Sequence, residues 1–332
     1  MPAWALPVFV ACALVSLLAS HRLVKALEAL GDRWAVPSVL LGLMAALAAD
    51  GPELTSALTA QLRGEHTIGL GVLFGSNVFN IAALLGLGAV VAGRVRFRRR
   101  AVALEGTVAT GVAGASLLLV HHVVPVAASA ALAGTFFLPY LVLAAVPVRR
   151  LPVPARARSW LALAVSEERD DLQGGYPSDV PGHPGRQVAT VLGALVVVVG
   201  ASALMEQSAS VGGAALGLPE VVVGGVVLAA VTSLPNVVAA LYLARAGRGA
   251  AMLSEAMNSN TMNVVGGLVV PAALVGLVGA GTGVGTQLAA WSYLAMTAGA
   301  TTAAFARRGV SRPMGWVLLA AYGAYLAGVL AA

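Results

Sequence analysis

The sequence predicts an all-α membrane protein of ten transmembrane helices, arranged as two inverted five-helix repeats. Of 332 residues, 59% are hydrophobic and only 10% are charged, which excludes an ordinary soluble domain and fits a polytopic membrane protein. Ten apolar runs can be drawn, each able to cross the hydrocarbon core as a helix, which takes about 20 residues. A shift of 183 residues then lays the second half of the chain over the first. Nothing shows the short alternating strands of a membrane barrel, so helices are required.

The runs are about Ala5 to Leu23, Ala35 to Leu62, Thr67 to Ala92, Ala101 to Val120, Val123 to Val148, Val188 to Ser210, Leu218 to Leu243, Ala250 to Val278, Val284 to Phe305 and Pro313 to Leu330. With the first run starting outside, the connections placed inside hold all of the 20 Lys and Arg residues except Arg63, including the cluster Arg94, Arg96, Arg98, Arg99 and Arg100. Basic residues favour the cytoplasmic side, so both termini are expected outside, in a plasma membrane of the bacterial inner type. The formal charge of +6 reflects this orientation rather than a nucleic-acid partner. The Arg94 to Arg100 cluster reads as a solvated topology anchor, compatible with contact to anionic lipid.

Residues 1–148 form the first repeat, 149–187 a cytoplasmic linker and 188–332 the second repeat. The linker carries Glu167, Glu168, Asp170 and Asp171 and a Gly/Pro-rich stretch from Gly174 to Gly185, with one short amphipathic helix expected near Trp160. Cys12 is the single cysteine, so no intrachain disulfide can form, and it reads as a small buried hydrophobe. The start Met1-Pro2-Ala3-Trp4 puts no positive charge before its apolar run, so no cleaved signal peptide is expected.

The repeat pairs Val39 with Val222, Gly42 with Gly225, Pro52 with Pro235, Ala57 with Ala240, Leu58 with Leu241 and Gly64 with Gly247. It continues without a gap through Ser76 with Ser259, Asn77 with Asn260 and Asn80 with Asn263. Chance likeness between apolar helices would match Leu, Val and Ala but not Pro, Gly, Ser and Asn in one register. An odd number of crossings per half makes the halves inverted, which is a transporter architecture with its site where interrupted helices meet at the midplane.

Asp50 and Glu53 fall near the middle of the second run, where a charged side chain costs roughly 2.5 to 3.5 kcal/mol and normally faces a bundle interior or wet cavity. Pro52 lacks an amide hydrogen and its ring opposes the carbonyl of Ala48, so the helix should kink and leave main-chain oxygens unpaired. Oxygens beside carboxylates suit a hard cation. Ala46, Ala49, Asp50 and Glu53 share one helix face, as do Ser76 and Asn80 in Gly75-Ser76-Asn77-Val78-Phe79-Asn80. The second half repeats this with Ala229, Thr232, Ser233 and Asn236, and with Ser259 and Asn263. Four stripes of hydroxyl, amide and carboxylate oxygen make a cation cage; the bland reading of the hydroxyls is close helix packing. Glu53 has no basic residue within an apolar run to pair with.

These motifs resemble the two alpha repeats of the sodium/calcium exchanger superfamily: Gly51-Pro52-Glu53-Leu54 with Gly75-Ser76-Asn77-Val78-Phe79-Asn80-Ile81, and Thr232-Ser233-Leu234-Pro235 with Asn258-Ser259-Asn260. The resemblance implies ten helices with cations held by the second, third, seventh and eighth. It places the family's acidic ligand on Glu53, seventh-helix hydroxyls on Thr232 and Ser233, and backbone-carbonyl ligands on Ala46 and Ala229. Ser76, Asn80, Ser259 and Asn263 match third- and eighth-helix positions. Two departures stand out. The family's second acid, after the seventh-helix proline, is here Asn236, and its second-helix hydroxyl pair is here Ala49 and Asp50. Both negative charges therefore sit in one repeat, one turn apart, where they repel unless a proton or cation intervenes.

The expected function is a membrane cation antiporter exchanging calcium for sodium or protons by alternating access, with the transported cation as its ligand and no cofactor. A monovalent cation/proton exchanger and a non-transporting membrane scaffold are the alternatives. No phosphate loop, metal-spaced His/Cys set or nucleophile arrangement supports an enzyme. His121 and His122 read as an interfacial polar cap, and Glu105, Glu206 and Glu255, placed near helix ends, as surface residues.

Overall fold

The structure is a computed structural model that describes residues 2–34, 44, 46–172, 184–276 and 283–332. Most of the first half of the second expected run, with Val39 and Gly42, lies outside the described residues, as do most of the Gly/Pro-rich linker stretch and the end of the eighth run.

The first half contains α1 (Ala5–Arg33), α2 (Gly51–Leu62), α3 (His66–Ala92), α4 (Arg99–Val120) and α5 (Val126–Ala145). Helix α6 (Ala155–Leu172) follows, longer than the short helix expected near Trp160. The second half contains α7 (Pro184–Ala215), α8 (Glu220–Thr232), α9 (Leu234–Arg245), α10 (Gly249–Val264, continuing helically to Val275), α11 (Val284–Arg307) and α12 (Arg312–Ala331). Among the described residues, six helices are long and apolar enough to cross a membrane singly, and the bent pair α8 and α9 makes a seventh span if counted together.

Proline does what the sequence predicts in both halves. The chain turns at Asp50 between helical residues 46–49 and α2, with Pro52 in the first turn of α2. Its counterpart Pro235 opens α9, which is bent by 44° from α8. Beyond the third-helix asparagine, α3 widens into a π-helical stretch, Ile81–Leu87. α10 widens in the corresponding place, at Val265–Val269. Such widened turns commonly sit at functional sites, because the extra residue re-aims side chains without ending the helix.

Helices α1 and α7 lie along one another, joined by the Ser16 and Ser202 hydroxyls at 2.7 Å. The remaining helices pack around α3, the most buried of the spans. α3 crosses α8 backbone to backbone: a Cβ added at Gly75 would stand 2.3 Å from the Gly225 carbonyl oxygen, and one at Gly224 2.3 Å from that of Ile68. Glycine is what allows two helices to approach this closely.

Two three-residue strands absent from the sequence reading, β1 (Arg94–Arg96) and β2 (Gly309–Ser311), pair antiparallel and tie the end of α3 to the end of α11. Arginines fix the same corner. Arg99 donates to the Phe305 carbonyl at 3.1 Å, Arg94 to that of Arg307 at 3.3 Å and Arg312 to that of Val90 at 3.0 Å. They satisfy carbonyls at helix C-termini, where cations are favoured. The arginine cluster expected to be solvated is thus in part structural.

Candidate cation-binding site

The site forms where the broken helices α2 and α8/α9 meet α3 and α10. Asp50 sits at the break before α2, and Glu53 one turn further on faces the same interior; both are fully buried. Among the described residues, the second half supplies donors to both acids. Asp50 Oδ1 accepts from Asn236 Nδ2 at 3.0 Å and from Ser259 Oγ at 2.7 Å. Glu53 accepts from the Ser233 hydroxyl on one oxygen and the Asn263 amide on the other. Ser76 of α3 also lies against Glu53 while donating to its own helix at Val72.

Asparagines complete the cluster. Asn80 donates to Ser259 Oγ and Asn260 Oδ1, each at 3.1 Å, and Asn263 donates to Asn77 Oδ1 at 3.2 Å. Because these amides give their N–H groups to oxygens, their own carbonyl oxygens are left over. Four buried oxygens receive no donor: Asp50 Oδ2, Asn80 Oδ1, Asn236 Oδ1 and Asn263 Oδ1. A buried oxygen without a donor loses its hydration and gains nothing in exchange, at about 1 to 3 kcal/mol each. Oxygens of this kind are the ligands that hard cations take.

The structure therefore brings Asp50, Glu53, Asn80, Ser76, Asn236, Ser233, Ser259 and Asn263 into one buried polar cluster. Thr232 is buried beside them, its hydroxyl donating back to Leu228 at 2.9 Å and Ala229 at 3.3 Å. The carbonyl positions differ from the expectation of free oxygens. Ala46 O accepts the Asp50 N–H at 2.9 Å and keeps its second lone pair, whereas Ala229 O accepts both the Ser233 N–H at 3.2 Å and the Thr232 hydroxyl at 3.3 Å. The Ala48 oxygen, which Pro52 leaves without a helix donor, is taken by the Ser20 hydroxyl of α1 at 3.0 Å. Ser20 also reaches Ala49 O at 3.3 Å.

Two further corrections concern acids. Glu206 and Glu105 are buried rather than at the surface, because α7 runs on to Ala215 and α4 begins at Arg99, which puts both carboxyls well inside their helices. Sequence reasoning also missed Ser20, and it used Asn77 and Asn260 only as markers of the repeat. Their signal was present, since two buried amides held in register have to bond to something.

The surroundings of the site are uneven. On the Arg63 side α7 covers α2: Ser56 Oγ donates to the Ser202 carbonyl at 3.4 Å, and a Cβ at Gly51 would meet Val198 at 3.1 Å. On the arginine-rich side the α9 stripe Leu234, Val238 and Tyr242 is exposed.

An apolar helical bundle enclosing two carboxyls and a ring of amides between broken helices is the arrangement of a secondary membrane transporter. The chain belongs to the sodium/calcium exchanger protein family, whose profile matches residues 4–148 and 187–331. It is 37% identical over 93 residues to a putative antiporter, CaxA, of Alkalimonas amylolytica, and 34% identical over 93 residues to the sodium/potassium/calcium exchanger 1 of Mus musculus. Those stretches are 27% and 28% of this chain but only 29% and 8% of the two relatives. Among solved structures, an H+/Ca2+ exchanger, CAX, superposes with a TM-score of 0.73 at 15% identity, covering 97% of this chain and 82% of that one. The sodium-calcium exchanger NCX_Mj superposes with a TM-score of 0.59 at 17% identity, covering 99% of this chain and 100% of that one. At these identities the superpositions speak to fold.

Proposed function

We propose that this chain is a cation antiporter that holds calcium between Glu53 and Asp50 and exchanges it for sodium or protons. The observation that carries the reading is the set of four donor-less buried oxygens around two acids. Family membership and the calcium exchangers among its relatives and structural neighbours support it. Two carboxylates balance one divalent ion. Asn236, Asn80, Asn263, Ser76, Ser259, Thr232 and Ser233 would complete the shell, with the second lone pair of the Ala46 carbonyl, and that of Ala229 once the Thr232 hydroxyl turns away, open to a cation that displaces no helix bond.

The reading includes ten crossings in two inverted halves, 1–148 and 188–332, joined by a cytoplasmic linker, with both termini outside a bacterial inner membrane. The pair α1 and α7 would rock against the remaining helices, and α7 lies over α2 on the Arg63 side.

Asn236 favours a second reading, a monovalent cation/proton exchanger, since one repeat brings no charge of its own. Reconstituted vesicles separate the two. Calcium uptake driven by an outward sodium or proton gradient and abolished in Glu53→Gln supports calcium antiport. Sodium-coupled proton release that is indifferent to calcium supports the second, and no flux of either kind leaves the non-transporting scaffold.

A further inference from the structure

Helix α1 reaches the break before α2. Pro52 leaves the Ala48 carbonyl without a helix donor, and the Ser20 hydroxyl takes that place at 3.0 Å while also reaching Ala49 O at 3.3 Å. Both oxygens close the helical residues 46–49, directly before Asp50. Carbonyls at such an end carry the negative pole of a half-helix, and in broken transporter helices they are main-chain oxygens that take cations. The Ala49 carbonyl belongs to the peptide unit of Asp50, whose Oδ2 is itself without a donor. Two oxygens suited to a cation are therefore occupied by a hydroxyl from a helix outside the ion-binding cluster. Ser20 is also part of a seam of buried hydroxyls. Ser16, one turn earlier on the same face of α1, meets Ser202 of α7 at 2.7 Å, and the Ser202 carbonyl accepts from Ser56 of α2 at 3.4 Å. The α1–α7 pair thus touches α2 through single hydroxyl bonds, each of which one contact to an ion can replace.

We propose that the Ala48 and Ala49 carbonyls are further cation ligands that Ser20 holds in reserve: while α1 lies against the break its hydroxyl occupies them, and when α1 moves away they turn to the cation. The inference rests on the antiport reading and extends its ligand set beyond the acids, the amides and the Ala46 and Ala229 carbonyls. Ser20 is then a positioning residue that acts through two main-chain oxygens. The hydroxyl hydrogen and the cation are both positive, so one carbonyl oxygen holds the two together poorly and each weakens the hold of the other. Cation binding and the place of the α1–α7 pair are therefore linked, and a cation that takes these oxygens favours the arrangement in which α1 has left them.

Isothermal titration of the full chain with calcium, and separately with sodium, tests this on the parent, Ser20→Ala, Ser20→Cys and Ser16→Ala. Removing the hydroxyl takes from the cation-free state a bond that the cation-bound state has already given up. Ser20→Ala should therefore bind cation about tenfold tighter while unfolding at a lower temperature without it. Ser20→Cys, close to serine in size and a weak donor, should shift affinity the same way by less, and it carries the test should the alanine variant fail to fold. Ser16→Ala breaks the contact between α1 and α7 without touching the break and should bind as the parent does. Unchanged affinity in the Ser20 variants makes the hydroxyl a structural cap, weaker binding makes it a ligand in its own right, and equal tightening in Ser16→Ala makes the effect one of loosened packing; each of these overturns the proposal. Cation binding by the parent with unchanged Ser20 variants removes the proposal alone, whereas a parent that binds neither cation removes the antiport reading and the proposal with it.

Discussion

Asn77 and Asn260 donate to each other's main-chain carbonyls, Asn77 Nδ2 to Asn260 O at 3.3 Å and Asn260 Nδ2 to Asn77 O at 3.0 Å. The exchange relates residues separated by the repeat interval, and their partners obey it too: Asn80 donates to Asn260 Oδ1 and Asn263 to Asn77 Oδ1. The two amides hold α3 and α10 together from both sides and orient the asparagines that face the acids. Hydrogen bonds between membrane helices are worth about 0.6 kcal/mol on average and up to about 1.7. Because each amide bonds the other's main-chain carbonyl, which alanine leaves in place, Asn77→Ala and Asn260→Ala remove different hydrogen bonds and should each destabilise the protein, with the double variant losing close to the sum. Thermal unfolding in detergent of the two single variants and the double variant measures this.

Ser20→Ala should destabilise the protein by about 1 to 3 kcal/mol, since it removes the hydroxyl that caps the carbonyl Pro52 leaves without a helix donor. Ser16→Ala removes a hydroxyl pair without stranding a main-chain oxygen and should cost less. Unfolding midpoints of the two variants give the comparison.

Gly75→Ala should prevent the close crossing of α3 and α8, because the new methyl would stand 2.3 Å from the Gly225 carbonyl oxygen. Gly114→Ala, where nothing lies within 4 Å, should be neutral or slightly stabilising through helix propensity. Yield of monodisperse protein in size-exclusion chromatography separates the two.

Asn236→Asp replaces an N–H that Asp50 accepts with a carboxylate oxygen, the third acid of the cluster. Without cation the variant should unfold at lower temperature than the parent, by repulsion and by the lost donor. Added calcium should raise its midpoint by more than it raises the parent's. Equal calcium shifts in both would place Asn236 away from the ion.

Much of this was legible in the sequence because the informative residues break a pattern. An apolar span offers no reason for Asp50, Pro52 or Glu53, so each points to a buried polar interior or a bend, and both are present. The 183-residue register gave the partners in the other half before any contact was known. What it could not give was depth. Glu206 looked peripheral because its apolar run ended a few residues later, yet the helix continues through small residues to Ala215. Nor could it give the use of the freed carbonyl at Ala48, because Ser20 lies 28 residues away on another helix and a lone serine in a span has no distinguishing signal. The strands at Arg94–Arg96 and Gly309–Ser311 are too short to carry an alternation.

The central claim is that acids from the first half and amide and hydroxyl oxygens from the second hold one cation between them. Isothermal titration of the purified full chain with calcium tests it most directly, beside Glu53→Gln and Asp50→Asn. Removing one member of a buried charged set costs about 3 to 5 kcal/mol, which is two or more decades of affinity. The account predicts saturable calcium binding by the unmodified protein and its loss by at least about a hundredfold in each variant. Indistinguishable binding by all three proteins would contradict it.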